Sequence, residues 1–163
     1  MEFNYYEPDP IFSFEGIYSK EEYVKTYLVK ADFGPDIPKD VFESYKTAEY
    51  LMALAYFYSP IYDEAFWKVL GTYEMAIQFR CNDMGIDLKG SKGWRKSLDK
   101  LHKELIQKLG LEHFHYTFDW VREFRNKKAH PDDSAFGGTL YKFHIEMIVK
   151  FIKMIFETDI STN

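Results

Sequence analysis

Apolar side chains recur every three to four residues through most of this chain, and that spacing restricts it to a helical fold. Five stretches between Asp40 and Glu157 keep the period of about 3.6 residues that one face of an α-helix requires. No stretch shows the strict alternation of apolar and polar residues that a half-buried strand needs. The pattern therefore predicts an all-α protein, built as an antiparallel bundle of four or five helices.

Residues that favour turns separate these stretches. Ser59-Pro60 is a typical helix start, because serine caps the first turn and proline fits within it, whereas Gly110 and Pro131 are typical of helix ends. The predicted helices cover residues 40 to about 58, 59 to about 82, 97–109, about 113–129 and 139 to about 157. The last helix is expected to bury Leu140, Phe143, Met147, Ile148, Phe151, Ile152 and Ile155.

Residues 1–38 differ in composition from the rest and are interpreted as an N-terminal arm, with residues 39–163 forming the bundle. Nine aromatic residues fall within the first 33 positions, which is more apolar surface than a free arm would leave in water. Ser19 and Glu22 form a capping box that predicts a short helix through about Lys30. The arm is expected to pack across its own bundle; the alternative is that it reaches a partner subunit.

Basic side chains are concentrated in the second part of the chain. Residues 1–64 carry 13 acidic and 5 basic side chains, whereas residues 65–163 carry 13 acidic and 16 basic ones, within a net charge of −5. This distribution allows RNA binding, because cations neutralise backbone phosphates. The residues expected to bind RNA are Arg95, Lys96, Lys100, Lys103, Lys127 and Lys128. The alternative is an ordinary solvated helix face.

The sequence also predicts a cytoplasmic protein with no cofactor and no bound metal. Cys81 is the one cysteine, so nothing requires an oxidising environment. The first residues lack the features of a signal peptide, and no apolar run is long enough to span a bilayer, so we expect a cytoplasmic protein. No metal is expected, because His113 and His115 lie on different helix faces and only Asp119 lies near to join them.

The polar end of the fourth predicted helix carries the residues best suited to chemistry. Arg122, Asn126 and His130 follow one another at intervals of four residues and share a helix face. Pro131 disfavours helical dihedrals at His130, so the last turn can bend toward Arg125. A guanidinium suited to a phosphate and an imidazole that exchanges protons near neutrality would then meet at a helix end.

The sequence RNKKAH at residues 125–130 resembles the R-x4-6-H signature of HEPN domains, with Asn126 as the polar residue that often follows the arginine. The order of the predicted helices is also similar to that family over residues 39–158, and it leaves the arm unexplained. The resemblance implies a HEPN-like helical bundle that forms a homodimer. It also implies a metal-independent endoribonuclease in a toxin–antitoxin, abortive-infection or antiphage system.

The resemblance implies a role for each residue of the motif. His130 would take the proton from a ribose 2′-hydroxyl or give one to the leaving oxygen, and Arg125 would stabilise charge on the phosphate. Asn126 would orient the phosphate or fix the imidazole of His130. Arg122 is a candidate auxiliary residue, as is Glu74 where family members place an acid on an earlier helix. Cleavage would leave a 2′,3′-cyclic phosphate, so DNA, which has no 2′-hydroxyl, should resist.

Two other functions remain open from the sequence. HEPN-like domains also serve as non-catalytic nucleotide- or protein-binding modules. An antitoxin-like protein is the other possibility, because the acidic first 64 residues could mimic nucleic acid or neutralise a basic partner.

Overall fold

The computed structural model describes residues 5–114, 119–121, 123 and 137–158. Its α-helices are α1 (Ile11–Phe14), α2 (Lys20–Tyr27), α3 (Lys39–Leu54), α4 (Ile61–Asp83), α5 (Leu98–Leu109) and α6 (Lys142–Glu157). Short 3₁₀ turns cover Glu112–Phe114 and Gly138–Tyr141. Within these residues there is no β-strand, and one isolated bridge pairs Lys89 with Arg95. The all-α prediction is confirmed for the part of the chain described.

Helix α4 is the centre of the bundle, since it packs against α3, α5 and α6. Its side chains Phe66, Val69 and Ile77 are fully shielded from solvent. Polar groups inside the α3–α4 contact are paired, because the hydroxyls of Ser44 and Thr72 lie 2.8 Å apart. This pairing avoids the cost of burying an unbonded hydroxyl.

Local capping signals explain where two of the helices begin and end. Ser19 accepts a hydrogen bond from the Glu22 backbone N–H at 3.1 Å, and the Glu22 carboxylate accepts from the Ser19 N–H at 3.2 Å. This is the predicted capping box at the start of α2. At the start of α5 the Ser97 hydroxyl accepts a hydrogen bond from the Lys100 N–H, and Gly110 ends that helix with a left-handed φ of 69°.

The boundary between α3 and α4 differs from the prediction. Helix α3 ends at Leu54, short of Tyr58, and α4 begins at Ile61. Ser59 makes no side-chain cap; instead its backbone N–H donates to the Asp9 carboxylate at 2.8 Å. A long-range bond from the arm therefore takes the place of the expected local cap.

The arm packs across the bundle of its own chain. Phe12 and Tyr23 are buried within it, and their rings meet edge to face with centroids 4.7 Å apart. Backbone bonding joins the arm to the α3–α4 connection, since the Asp9 N–H donates to the Tyr56 carbonyl at 2.9 Å. These contacts favour the interpretation in which the arm covers its own core. Tyr5, Tyr6, Phe14 and Tyr18 remain exposed.

The last helix begins differently from the prediction, although Ile148, Phe151, Ile152 and Ile155 of its expected inward face are buried as predicted. A 3₁₀ turn precedes α6, and Leu140 and Phe143 are 80% and 63% exposed, so their predicted burial is wrong. A 3₁₀ turn has about three residues per turn, which shifts the phase of the side chains relative to an α-helix. The buried face comprises Ile145, Ile148, Val149, Phe151, Ile152, Ile155 and Phe156.

The predicted fourth helix is described only in part. Residues 119–121 and 123 are helical, and the residues before them include the 3₁₀ turn Glu112–Phe114. Most of its expected length lies outside the described residues. Among the helices that are described, none combines the length and the apolar character needed to cross a membrane.

Candidate functional site

The predicted catalytic motif lies between two parts of the chain that the structure describes. Arg122, Arg125, Asn126, Lys127, Lys128 and His130 themselves lie outside the described residues. Helical residues 119–121 come directly before Arg122, and the described chain resumes at Gly137, where the turn that precedes α6 begins. The motif segment is residues 122–136, which join these two flanks. The described parts of the candidate site are its two flanks and the candidate residues on other helices.

The chain enters the motif segment from a packed position. Val121 is 3% exposed and belongs to the hydrophobic core. The ring of Trp120 meets the ring of His144 on α6 edge to face, with centroids 5.1 Å apart. Burial of these two neighbouring side chains anchors the start of the segment against the last helix.

The chain leaves the motif segment through a turn that Asp63 holds. One carboxylate oxygen of Asp63, in the first turn of α4, accepts hydrogen bonds from the backbone N–H groups of Gly137 and Gly138 at 3.1 and 2.8 Å. Its second oxygen is buried and has no hydrogen-bond partner among the described residues. Burial raises the pKa of Asp63, although the two backbone donors act in the opposite direction.

Aromatic stacking holds the same turn from its other side. The rings of Tyr141 and Phe66 are stacked, with centroids 4.1 Å apart and planes 12° from parallel. A methyl group at Gly137 would come within 2.3 Å of the Tyr141 ring, so the backbone can approach the ring this closely only with glycine at that position. Asp63, Phe66 and Gly137 thus fix the point at which the motif segment rejoins the bundle.

His144 lies beside this junction but is suited to packing. Its ring is close to those of Phe66, Trp120, Tyr141 and Phe143. Burial lowers its pKa, so the imidazole is neutral at pH 7. His102 is 8% exposed, because it lies on the buried face of α5 with Leu105 and Ile106.

The structure brings the acidic candidate Glu74 and the basic candidate Arg95 to the same region. Gln78 on α4 connects them: its amide nitrogen donates to Glu74 at 3.5 Å, and its amide oxygen accepts from Arg95 at 2.5 Å. Glu74 is half-buried and Arg95 is exposed. An acidic and a basic group therefore lie near each other on the α5 side of α4.

The other candidate RNA-binding residues differ in how accessible they are. Lys96 has an 11% exposed side chain and forms an ion pair of 2.6 Å with Glu104, so its charge is largely neutralised. Lys103 pairs with Asp99 at 2.9 Å on the surface of α5. Lys100 is exposed and has no ion-pair partner among the described residues. Lys100 is thus the most accessible of these lysines for a phosphate.

A cavity of about 360 Å³ opens between the arm, the start of α4 and the turn before α6. Glu15 and Asp63 line it together with apolar side chains, and Tyr27 donates a hydrogen bond to Glu15 at 2.7 Å. Two carboxylates repel a phosphate, so this cavity is unsuited to an RNA backbone. In the described part of the chain, no group of three or more His, Cys, Asp or Glu residues could hold a metal ion.

Comparison with known proteins gives no significant match to any family model, curated protein or solved structure. Sequence reasoning missed Asp63, whose only sequence signal, an acid in the first turn of a helix, is common to many helices. It also missed Trp94, an exposed aromatic residue next to Arg95 and Lys96 in the sequence.

Proposed function

We propose that this chain is a metal-independent endoribonuclease of the HEPN type. The observation that carries the proposal is the sequence of residues 125–130, in which arginine and asparagine precede a histidine at the spacing of the HEPN signature. The proposal includes a homodimer that places two motifs side by side. It also includes a cytoplasmic setting in a toxin–antitoxin, abortive-infection or antiphage system, with an antitoxin as a further protein partner.

The packing around the motif supports this proposal. Val121 and Trp120 hold the helical start of the segment, and Asp63 holds its end through two backbone hydrogen bonds. Catalytic groups need to be held to within a fraction of an ångström to be effective, and fixed flanks contribute to that precision. A segment anchored at both ends to the same core is a suitable support for such groups.

The proposed reaction is attack of a ribose 2′-hydroxyl on the adjacent phosphate. His130 accepts the proton of the 2′-hydroxyl or donates one to the leaving 5′-oxygen, an effect of about 10²- to 10⁴-fold on the rate. Arg125 donates hydrogen bonds to the phosphate oxygens as negative charge builds on them. Asn126 orients the phosphate or the imidazole, and Arg122 and Glu74 act as auxiliary groups. The products carry a 2′,3′-cyclic phosphate and a 5′-hydroxyl.

The experiment that tests this proposal compares RNA cleavage by the wild type, Arg125→Ala and His130→Ala on denaturing gels in the presence of EDTA. Both substitutions should abolish cleavage while leaving the helical content and the dimer mass unchanged. His113→Ala is the matched control, because His113 is an exposed histidine outside the motif. Equal cleavage by wild type and His130→Ala would refute the assigned mechanism.

A non-catalytic binding module is the second candidate, and exposed apolar side chains favour it. Phe14, Leu140 and Phe143 are each more than half exposed, and apolar groups on a surface are typical of contacts with a partner protein. A folded wild-type dimer that cleaves no RNA but forms a stable complex with a second protein would favour this function over catalysis.

A further inference from the structure

The loop between α4 and α5 is an ordered hairpin. The Gly90 N–H donates to the Trp94 carbonyl and the Gly93 N–H to the Gly90 carbonyl, both at 2.8 Å. At its base, the Lys96 N–H donates to the Leu88 carbonyl at 2.9 Å. Gly93 has a φ of 75°, which a residue with a side chain adopts only with strain. These bonds give the tip of the hairpin a defined shape.

Trp94 projects from this hairpin into solvent. It is 79% exposed, whereas the chain's other two tryptophans, Trp67 and Trp120, are half-buried against the core. Tryptophan is the largest apolar side chain, and leaving it in water forfeits the free energy that burial would provide. An ordered loop that presents it outward therefore provides a flat aromatic surface for a ligand.

Basic residues are concentrated on both sides of Trp94 in the sequence. Residues 88–100 contain five basic side chains and one acidic one, in a chain whose net charge is −5. Lys89, Lys92 and Lys100 are exposed and have no ion-pair partner among the described residues, while Arg95 is held at the base of the hairpin by Gln78. An exposed aromatic ring among available cations is the combination that binds single-stranded nucleic acid.

We propose that this hairpin, residues 88–96 with Trp94 directly after its Gly90–Gly93 turn, binds single-stranded RNA. Trp94 stacks on an unpaired base, and Lys89, Lys92 and Lys100 contact the flanking phosphates. A base inside a duplex already stacks on both of its faces, so the hairpin discriminates against double-stranded RNA. The inference shares with the proposed function the assumption that RNA is the ligand, but it requires no cleavage.

The test measures binding of a short fluorescein-labelled oligouridine by anisotropy at low salt, in a His130→Ala background that keeps the RNA intact. Trp94→Ala should weaken binding about tenfold or more, and Trp94→Tyr, which can still stack, should retain most of the affinity. Tyr50→Ala is the matched control, because Tyr50 is 65% exposed on α3, within the acidic part of the chain. It should leave the affinity unchanged.

Reversing the charge of one lysine tests the phosphate contacts separately. Lys92→Glu and Lys25→Glu alter the net charge equally, and both lysines are exposed, but only Lys92 lies in the hairpin. Lys92→Glu should weaken binding and reduce its dependence on salt, whereas Lys25→Glu should have a much smaller effect. Equal losses from the two substitutions would show that only net charge matters and would overturn the inference.

The outcomes for the hairpin and for catalysis can be distinguished. If the wild type cleaves RNA and Trp94→Ala binds oligouridine as tightly as its parent, the hairpin inference fails and the proposed function stands. If Trp94→Ala loses affinity but the wild type cleaves nothing, the inference stands and the proposed catalysis fails. Binding of duplex RNA as tight as that of oligouridine would also overturn the hairpin inference.

Discussion

Three buried tyrosine hydroxyls attach the arm to the bundle, and their removal should release it. Tyr23 of the arm donates to the Met52 carbonyl on α3 at 2.9 Å. In the opposite direction, Tyr45 on α3 donates to the Val29 carbonyl at 2.9 Å. Tyr62 on α4 donates to the carbonyl of Tyr27 at 2.8 Å. The perturbation is the replacement of Tyr23, Tyr45 and Tyr62 by phenylalanine, singly and together.

The expected magnitude follows from the burial of these groups. Tyr23, Tyr45 and Tyr62 are at most 1% exposed, so no water replaces a lost donor. A hydrogen bond of this kind contributes about 1 kcal/mol to the free energy of unfolding, and the carbonyl left without a partner adds to the loss. The triple variant should lose about 3 to 5 kcal/mol, since each ring stays in place and no cavity forms. For a chain of this size, that loss corresponds to a fall in Tm of about 6 to 20 °C.

Urea unfolding followed by circular dichroism measures this loss directly. Tyr50→Phe, at a 65% exposed position, is the control and should change the unfolding free energy by less than about 0.5 kcal/mol. Limited proteolysis of the triple variant should also cut within residues 5–38 faster than in the wild type. A triple variant as stable as the control would refute the argument that these hydroxyls hold the arm.

Three further predictions concern the turn before α6 and the thiol in α4. Gly137→Ala should lose about 1 to 3 kcal/mol of unfolding free energy, because its methyl group would meet the Tyr141 ring at 2.3 Å. Gly71→Ala, within α4, is the control: no atom lies within 4 Å of the added methyl group, so the unfolding free energy should increase by up to about 1 kcal/mol. Equal losses of unfolding free energy from Gly137→Ala and Gly71→Ala would contradict the steric argument. Because burial raises the pKa of Asp63, its ionisation opposes folding as the pH rises above 3.8, its ordinary pKa. The unfolding free energy of Asp63→Asn should therefore increase relative to that of the wild type as the pH rises above 3.8, as measured by denaturant titrations at several pH values. A difference between the two proteins that does not change with pH would contradict this. Burial raises the pKa of Cys81 to about 11, so a thiol reagent should label it about a hundredfold more slowly in the native than in the unfolded protein. Equal labelling rates would show that the thiol is accessible.

Much of the helical fold could be predicted because its signals are local. The capping box of Ser19 and Glu22, the Ser97 cap and the Gly110 stop each act within one turn of helix, so the sequence alone contains them. The boundary at Ser59 could not be predicted, because it depends on Asp9, fifty residues earlier in the chain. Contacts of that range are decided by packing, which periodicity does not encode.

In the candidate site too, local features could be predicted from the sequence and long-range contacts could not. The chemical character of Arg125 and His130 follows from residue type and spacing. The hold that Asp63 has on the turn after them depends on a contact between residues more than seventy positions apart. The exposure of Trp94 was equally hidden, because an aromatic residue in a loop is as compatible with a buried position as with an exposed one.

Cleavage of RNA and DNA of the same sequence by the purified protein in EDTA tests the central claim most directly. The wild type should cut the RNA to fragments with 2′,3′-cyclic phosphate ends and leave the DNA intact, because attack requires the 2′-hydroxyl. The same reaction with His130→Ala should leave both substrates whole. Cleavage of both nucleic acids, or RNA cleavage that begins only when a divalent metal is added, would contradict it.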